Sequence, residues 1–274
     1  MIFDSNSSVY AVFGDPVSHT LSPVMHNRAF EVTGFKGIYL AFGVKNIKNA
    51  LFSVRTLGIK GASITIPHKI EVMKYLDEVD YIASKIGAVN TITNNGGSLK
   101  GYNSDGLGAK KSLSEKTVIK GKKIAVIGAG GAARAVGFCI KKEGGRVTVI
   151  SRDPDKGKRL AGDLTADYRP LNDIGGMRCD ILINATPVGM TPDNDGMPIE
   201  RKYLVKGMVV MDIVYNPLKT RLLSEAEKAG CIIVDGVSMF VHQGAFQFEL
   251  WTGIKAPVDI MKRAVLDALI EREK

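Results

Sequence analysis

Two ionisable residues stand where a proton could be moved. Lys69 closes the run GASITIPHK, which opens as alternating β-branched residues and ends in Pro67-His68-Lys69, where the pattern predicts the start of a helix over HKIEVMKYLD. An ammonium is least welcome at that positive end of a helix, so the position favours a lysine that is easily deprotonated. Its plain alternative is a surface lysine. Asp105, in GYNSDG, supplies a carboxylate for acid–base work, or only a helix cap. Polar partners stand at other strand and helix ends. Thr20 and Ser22, in GDPVSHTLSP, put two hydroxyls beside the free amides of a helix start and could hold a carboxylate; Ser22 could instead be only the N-cap. Thr65, Asn90 and Ser104 follow, with a turn residue as the alternative for Asn90.

A third constellation would take a dinucleotide. GAGGAA, spanning Gly128, Ala129, Gly130, Gly131, Ala132 and Ala133, follows a strand and opens a helix inside a complete βαβ unit. Gly128 permits the tight turn, Gly130 lets the backbone approach a pyrophosphate, and Ala133 allows close helix–strand packing. The next strand, RVTVI, ends in Ser151-Arg152-Asp153, where an NAD enzyme usually carries an acidic group for the ribose hydroxyls. Arg152 can fork onto a 2′-phosphate, and Lys156 adds an unopposed positive charge at a helix start. Asp153 argues the other way, by accepting from a ribose hydroxyl or repelling the phosphate. The balance favours NADP, with NAD as the alternative.

These residues must be positioned by an alternation of strands and helices along the whole chain, the mark of an α/β fold. VYAVFG, IYLAFGV and ASITIP are strands. PVMHNRAFEVTG and IKNALFSVRTLG are helices, and AVNTIT with LKGYN forms a hairpin through NNGGS. After KTVIKGKK the character changes: IAVIG, RVTVI, CDILINATP, GMVVMDIVY and CIIVDG are continuous apolar strands suited to a parallel sheet covered on both faces. Two α/β domains are expected, a substrate domain over residues 1–106 completed by 238–274, and a dinucleotide-binding domain over 107–237. The C-terminal helices return to the first domain.

Bulk properties remove several classes. The chain has 274 residues and a formal net charge of +9, but its lysines and arginines are scattered and carry no interleaved aromatics, so nucleic acid is not the expected partner. An anionic substrate and a phosphorylated cofactor suit the positive balance. Cys139, Cys179 and Cys231 are far apart and in no metal-ligand spacing, so no metal is expected and free thiols in a reducing cytoplasm fit. No signal-type segment or membrane span is legible.

The ordered set GDPVSHTLSP, ITIPHK, GAVNT, GYNSDG, GAGGAA, NATPVGM, DIVYNPLKT and DGVSMFVHQG resembles the shikimate dehydrogenase family over nearly the whole chain. The resemblance implies reversible, NADP-linked reduction of 3-dehydroshikimate to shikimate, a step toward the aromatic amino acids. It implies Lys69 and Asp105 as the acid/base pair, and Thr20 and Ser22 as the carboxylate-gripping hydroxyls. Thr65, Asn90, Ser104, Tyr215 and Gln243 are implied as further substrate contacts, and Ile213 and Gly236 as cofactor contacts beside the glycine loop. Two positions depart from the family pattern: Thr20 stands where serine is usual, and Ser151-Arg152-Asp153 replaces NRT. These keep open a quinate/shikimate dehydrogenase of broader substrate and cofactor range. A reading from another class is a dinucleotide-binding regulator without turnover, which the joint presence of Lys69 and Asp105 disfavours. A monomer or a homodimer fits equally.

A free lysine titrates near 10.4, too high for a neutral-pH base. A helix start would lower it and a nearby carboxylate would oppose that shift, so Asp105 is expected to orient Lys69 and share its proton as a coupled pair.

Overall fold

A computed structural model of the protein describes residues 4–175 and 177–272; the outermost residues of the expected domains, 1–3 and 273–274, lie outside these. The chain forms two compact units, one made of residues up to Ser104 together with those from Gln243 onward, the other of Asp105–His242. Among the described residues each unit carries a six-stranded sheet.

The first unit runs β1 (Ser8–Gly14), α1 (Ser22–Thr33), β2 (Gly37–Gly43), α2 (Ile47–Thr56), β3 (Gly61–Ile64), β4 (Glu78–Val79), α3 (Tyr81–Ile86), β5 (Thr91–Asn95) and β6 (Ser98–Tyr102). Its sheet order is β2-β1-β3-β5-β6-β4. β1 pairs in parallel with β2 and β3, whereas β5 runs antiparallel to both β3 and β6. Alternation along β1 sorts the two faces. Ala11 and Phe13 join Leu51, Val54, Ile64, Ile92 and Leu99 in one core cluster. Tyr10, on the opposite face, packs its ring 5.1 Å from Trp251 and 5.4 Å from Phe30. The NNGGS turn closes the β5–β6 hairpin with Gly96 and Gly97 both at positive φ (61° and 99°), as a two-residue primed turn requires.

Two local expectations fail. The segment HKIEVMKYLD is not an α-helix: residues 66–70 turn, and Glu71–Tyr75 forms only a short 3-10 helix. Non-local pairing stops a longer helix. The Asp77 amide donates to the Leu99 carbonyl at 3.0 Å, and Glu78 and Val79 pair with Lys100 and Gly101. The sheet therefore claims the chain eight residues after Lys69, and Lys69 does not sit at the start of an α-helix. Ser22 is not the N-cap of α1 either. Leu21 occupies that position without a side-chain bond, and Ser22 is the first helical residue.

The second unit runs α4 (Asp105–Ser114), β7 (Lys123–Ile127), α5 (Gly131–Lys142), β8 (Arg146–Ser151), α6 (Pro154–Leu164), β9 (Asp167–Pro170), β10 (Ile181–Asn184), β11 (Val209–Asp212), α7 (Arg221–Lys228) and β12 (Ile232–Val234). Its sheet is parallel in every pairing, in the order β12-β11-β10-β7-β8-β9. That order, 3-2-1-4-5-6 counted from β7, is the doubly wound Rossmann arrangement. Both faces are covered: Ile124 and Val126 of β7 enter one apolar cluster, Ala125 and Ile127 the other. Two helices complete the fold. α8 (Gly236–Thr252) begins in the second unit and ends in the first, and α9 (Val258–Arg272) packs on α1. The C-terminal helices thus return to the first unit. No helix among the described residues is long and apolar enough to cross a membrane.

Candidate active site

In the first unit the sheet brings the candidate residues to one end. β1 and β3 finish there, β5 starts there, and β6 finishes there, because β5 is antiparallel to its neighbours. The backbone fixes the register: the Ile64 amide donates to the Asn90 carbonyl at 2.8 Å, and the Asn90 amide to the Tyr102 carbonyl at 3.0 Å. Thr65 leaves β3 with its amide donating to Phe13 at 2.9 Å. Asn90, Ser104 and Gln243 are buried and joined. Asn90 Nδ2 donates to Ser104 Oγ at 2.9 Å, the Ser104 amide donates to Asn90 Oδ1 at 2.8 Å, and Ser104 Oγ donates to Gln243 Oε1 at 3.3 Å. Asn90 is therefore no surface turn residue.

Thr20 and Ser22 also stand together. The Ser22 amide donates to Thr20 Oγ1 at 3.3 Å, and Thr20 Oγ1 donates to Ser22 Oγ at 3.2 Å. It is thus Thr20 that accepts an amide at the start of α1. Lys69 is half-buried in a loop anchored on both sides. His68, buried, places Nε2 2.6 Å from the Val44 carbonyl, and the Lys69 carbonyl accepts from the Val89 amide at 2.8 Å. The loop therefore holds the lysine by backbone contacts rather than by a helix. Asp105 is buried and is the first residue of α4, directly after Ser104 in the chain. Lys69 belongs to the first unit and Asp105 to the second.

In the second unit the glycine loop lies at the reversal of strand order, between β7 and β10. Gly128 has φ +122°, and a Cβ there would lie 2.9 Å from the Ala185 carbonyl oxygen, so only glycine turns here. Gly130 caps α5 without a side chain, and a Cβ on it would meet nothing within 4 Å. Open space thus stands before the first amides of a twelve-residue helix, with Gly131 and Ala132 half-buried and Ala133 fully buried. This cradle fits a pyrophosphate.

After β8 the residues divide their duties. Ser151 is buried, with Oγ donating to the Asp153 carbonyl at 2.6 Å. Asp153 is the N-cap of α6, accepting from the amides of Asp155 and Lys156 at 3.1 Å each. The Lys156 amide, first among several contacts, holds the Asp153 carboxyl below its usual range. The Lys156 ammonium lies 3.3 Å from that carboxylate, so Lys156 is not an unopposed charge. Arg152 is exposed and has no ion pair among the described residues. Ile213 and Tyr215 follow β11, the Tyr215 ring stacking on Phe240 at 4.3 Å. A Cβ at Gly236 would lie 2.2 Å from the Val214 carbonyl, so that glycine admits the chain that carries them. No cluster of metal-ligating side chains exists among the described residues.

Comparison with known proteins identifies this arrangement. A family model described as the shikimate dehydrogenase substrate binding domain matches residues 12–92. A model of shikimate / quinate 5-dehydrogenase matches 109–214, and one of the shikimate 5′-dehydrogenase C-terminal domain matches 236–266. A protein of Methanobrevibacter smithii named shikimate dehydrogenase (NADP(+)) is 45% identical over 98% of this chain and 99% of its own. The chain belongs to the shikimate dehydrogenase family. A crystal structure of shikimate dehydrogenase in complex with NADP+ superposes with a TM-score of 0.92 at 41% identity, covering 98% of both chains. The Thermus thermophilus enzyme, crystallised with NADP(H) and shikimate, superposes with a TM-score of 0.89 at 35% identity, over 96% of this chain and 100% of its own.

Two buried polar groups of this family member escape a local reading of the sequence. Thr91 and Gln247 bond to each other and to Asn90. In the second unit Asp212 ends β11 and is fully buried; its carboxylate accepts from Asn184 Nδ2 at 2.9 Å, the Val214 amide at 3.0 Å and Thr220 Oγ1 at 2.7 Å. Burial outweighs these donors and pushes its carboxyl up to about 6. The available signal was positional: ILIN and VVMD are apolar strands that each end in one polar residue.

Proposed function

We propose that the chain catalyses the reversible interconversion of shikimate and 3-dehydroshikimate with NADP, in the route to the aromatic amino acids. The observation that carries this is the 45% identity, along 98% of the chain, to a protein named for shikimate dehydrogenation with NADP+. The first unit holds the substrate: Thr20 and Ser22 donate to its carboxylate, and Thr65, Asn90, Ser104 and Gln243 bind its ring hydroxyls; Tyr215, from the second unit, is a further substrate contact. The second unit holds the cofactor, with its pyrophosphate on Gly128–Ala132 and its 2′-phosphate on Arg152, aided by Ser151 and Lys156. Ile213 and Gly236 would contact the cofactor beside the glycine loop.

When bound, the nicotinamide accepts hydride from the carbinol carbon or returns it to the ketone. Lys69 takes the hydroxyl proton in oxidation and restores it in reduction. Asp105 is the acid/base partner that orients the amine and shares its proton. His68 supports this reading: its bond to Val44 fixes the loop from which Lys69 reaches.

The test is to mix purified protein with shikimate or quinate and NADP+ or NAD+ and follow the appearance of reduced nicotinamide. The fastest initial rate is expected with shikimate and NADP+. Equal or faster rates with quinate and NAD+ would install the broader dehydrogenase instead, and no turnover with any pair would leave the dinucleotide-binding regulator.

A further inference from the structure

Behind the residues proposed to hold the substrate runs a directional chain of hydrogen bonds, all of it within the first unit. Tyr39 Oη donates to Ser63 Oγ at 2.6 Å, and Ser63 Oγ donates to Gln247 Oε1 at 2.9 Å. Gln247 Nε2 donates to Thr91 Oγ1 at 2.9 Å and to the Asn90 carbonyl at 3.4 Å. Thr91 Oγ1 then donates to Asn90 Oδ1 at 2.8 Å, Asn90 Nδ2 to Ser104 Oγ at 2.9 Å, and Ser104 Oγ to Gln243 Oε1 at 3.3 Å. Each hydroxyl has one proton, and this order uses each once; Ser104 Oγ also lies 3.2 Å from Asn90 Oδ1 and 3.3 Å from Thr91 Oγ1, so its proton is shared between Asn90 and Gln243. Every member from Tyr39 to Gln243 is buried.

The chain has a consequence for polarity. Gln247 Nε2 points a proton at Thr91 Oγ1, so the Thr91 proton must turn away, toward Asn90. Asn90 Oδ1 then receives Thr91 Oγ1 and the Ser104 amide at 2.8 Å each, with Ser104 Oγ as a third donor at 3.2 Å. A flipped Asn90 amide would set its own NH₂ against these donors, an arrangement that buried surroundings penalise. Ser104 passes the same direction on to Gln243, whose oxygen faces Ser104 and whose NH₂ is directed elsewhere.

The scaffold holds this register firmly. Ser63 and Thr91 are direct partners across β3 and β5. Gln243, Gln247 and Trp251 recur at four-residue intervals on α8, along one helix face. Trp251 Nε1 donates to the Ile92 carbonyl at 3.0 Å, and a Cβ on Gly61 would lie 2.3 Å from that nitrogen, so the helix cannot slide along β5. At the far end Tyr39 stacks on His26 at 4.5 Å; burial pushes His26 down to about 3 and keeps it neutral.

We propose that Thr91 and Gln247 are positioning residues for substrate binding: they set the direction in which Asn90 and Gln243 present hydrogen-bond donors and acceptors to shikimate. The proposal rests on the reading of Asn90 as a substrate contact.

The test compares Thr91→Val, Thr91→Ser, Ser63→Ala and Asn90→Ala by steady-state kinetics with shikimate and NADP+, each checked for native folding by circular dichroism. Thr91→Val keeps shape and removes the hydroxyl. It is expected to raise KM for shikimate about tenfold, the scale of one buried hydrogen bond, while KM for NADP+ stays within about twofold. Thr91→Ser restores the parent value. Ser63→Ala, two links further away, gives a smaller rise, about threefold, and carries the test if Thr91→Val does not fold. The proposal is overturned if both hydroxyl deletions leave KM for shikimate unchanged while Asn90→Ala raises it. It is equally overturned if Thr91→Val alters both KM values alike and Thr91→Ser fails to rescue. An Asn90→Ala variant with parental KM would instead remove Asn90 as a substrate contact, and the positioning role with it.

Discussion

Asp212 makes the pH dependence of the second unit predictable. Its carboxyl is buried at the end of β11 and titrates near 6 in the fold against an ordinary 3.8, because desolvation outweighs three hydrogen bonds. A carboxyl whose folded pKa is raised binds its proton more tightly in the native state, so its contribution to stability is complete below 3.8 and is lost as pH rises through about 6. The difference of roughly two pKa units, at about 1.4 kcal/mol each, is worth about 3 kcal/mol. Asp212→Asn removes the titration and resembles the protonated acid. Its Oδ1 can keep the bonds from Asn184 and Val214, and its Nδ2 can donate to Thr220 Oγ1, whose proton then turns away.

The difference between parent and variant isolates this group, since every other carboxylate is common to both. The parent should gain on Asp212→Asn by about 2 kcal/mol as pH falls from 7 to 4, with most of the change between 4 and 6. The single tryptophan, Trp251, lies in the first unit, so its fluorescence is the wrong probe. Urea unfolding should be followed by hydrogen exchange of amides in β10 and β11, at several pH values and for both proteins. A parent–variant difference that stays constant across that range would refute the reasoning, showing that Asp212 is ionised at little cost or that water reaches it.

Two other substitutions separate proton transfer from cofactor choice. Lys69→Ala should lower kcat by roughly 10²- to 10⁴-fold while KM for shikimate changes far less; near-normal turnover in steady-state assays would remove Lys69 from proton transfer. Arg152→Ala should raise KM for NADP+ by about tenfold or more and leave KM for NAD+ unchanged, because the exposed guanidinium has no ion pair among the described residues and is available to a 2′-phosphate. Equal effects on both cofactors would mean that Arg152 meets something other than that phosphate.

What was legible in the sequence tracks how local each interaction is. The glycine loop is strand, turn and helix in one continuous stretch, and the constraint on Gly128 is met by the next parallel strand of the same sheet. Asp153 was legible in type but misjudged in duty: Asp153-Pro154 is a cap followed by proline at a helix start, a local signal that competes with the cofactor reading. The loop after β3 misleads for the opposite reason. Val72, Met73, Tyr75 and Leu76 pack on the core at helix-like spacing, yet β6 captures Glu78 and Val79 and limits the helix to five residues. Thr91 and Gln247 were beyond a local reading altogether. Alone, Thr91 is an ordinary β-branched strand residue and Gln247 an ordinary helix residue. Only the register Ser63↔Thr91, set by strands far apart in sequence, turns the threonine hydroxyl toward the helix that carries Gln247. The one linear trace of it is the four-residue recurrence of Gln243, Gln247 and Trp251 along a largely apolar helix, since polar groups on a buried stripe must have partners somewhere. Such a stripe marks where the central strands β3 and β5 must offer hydroxyls or carbonyls, and that requirement points to the same end of the first sheet as the residues proposed to hold the substrate, independently of Lys69.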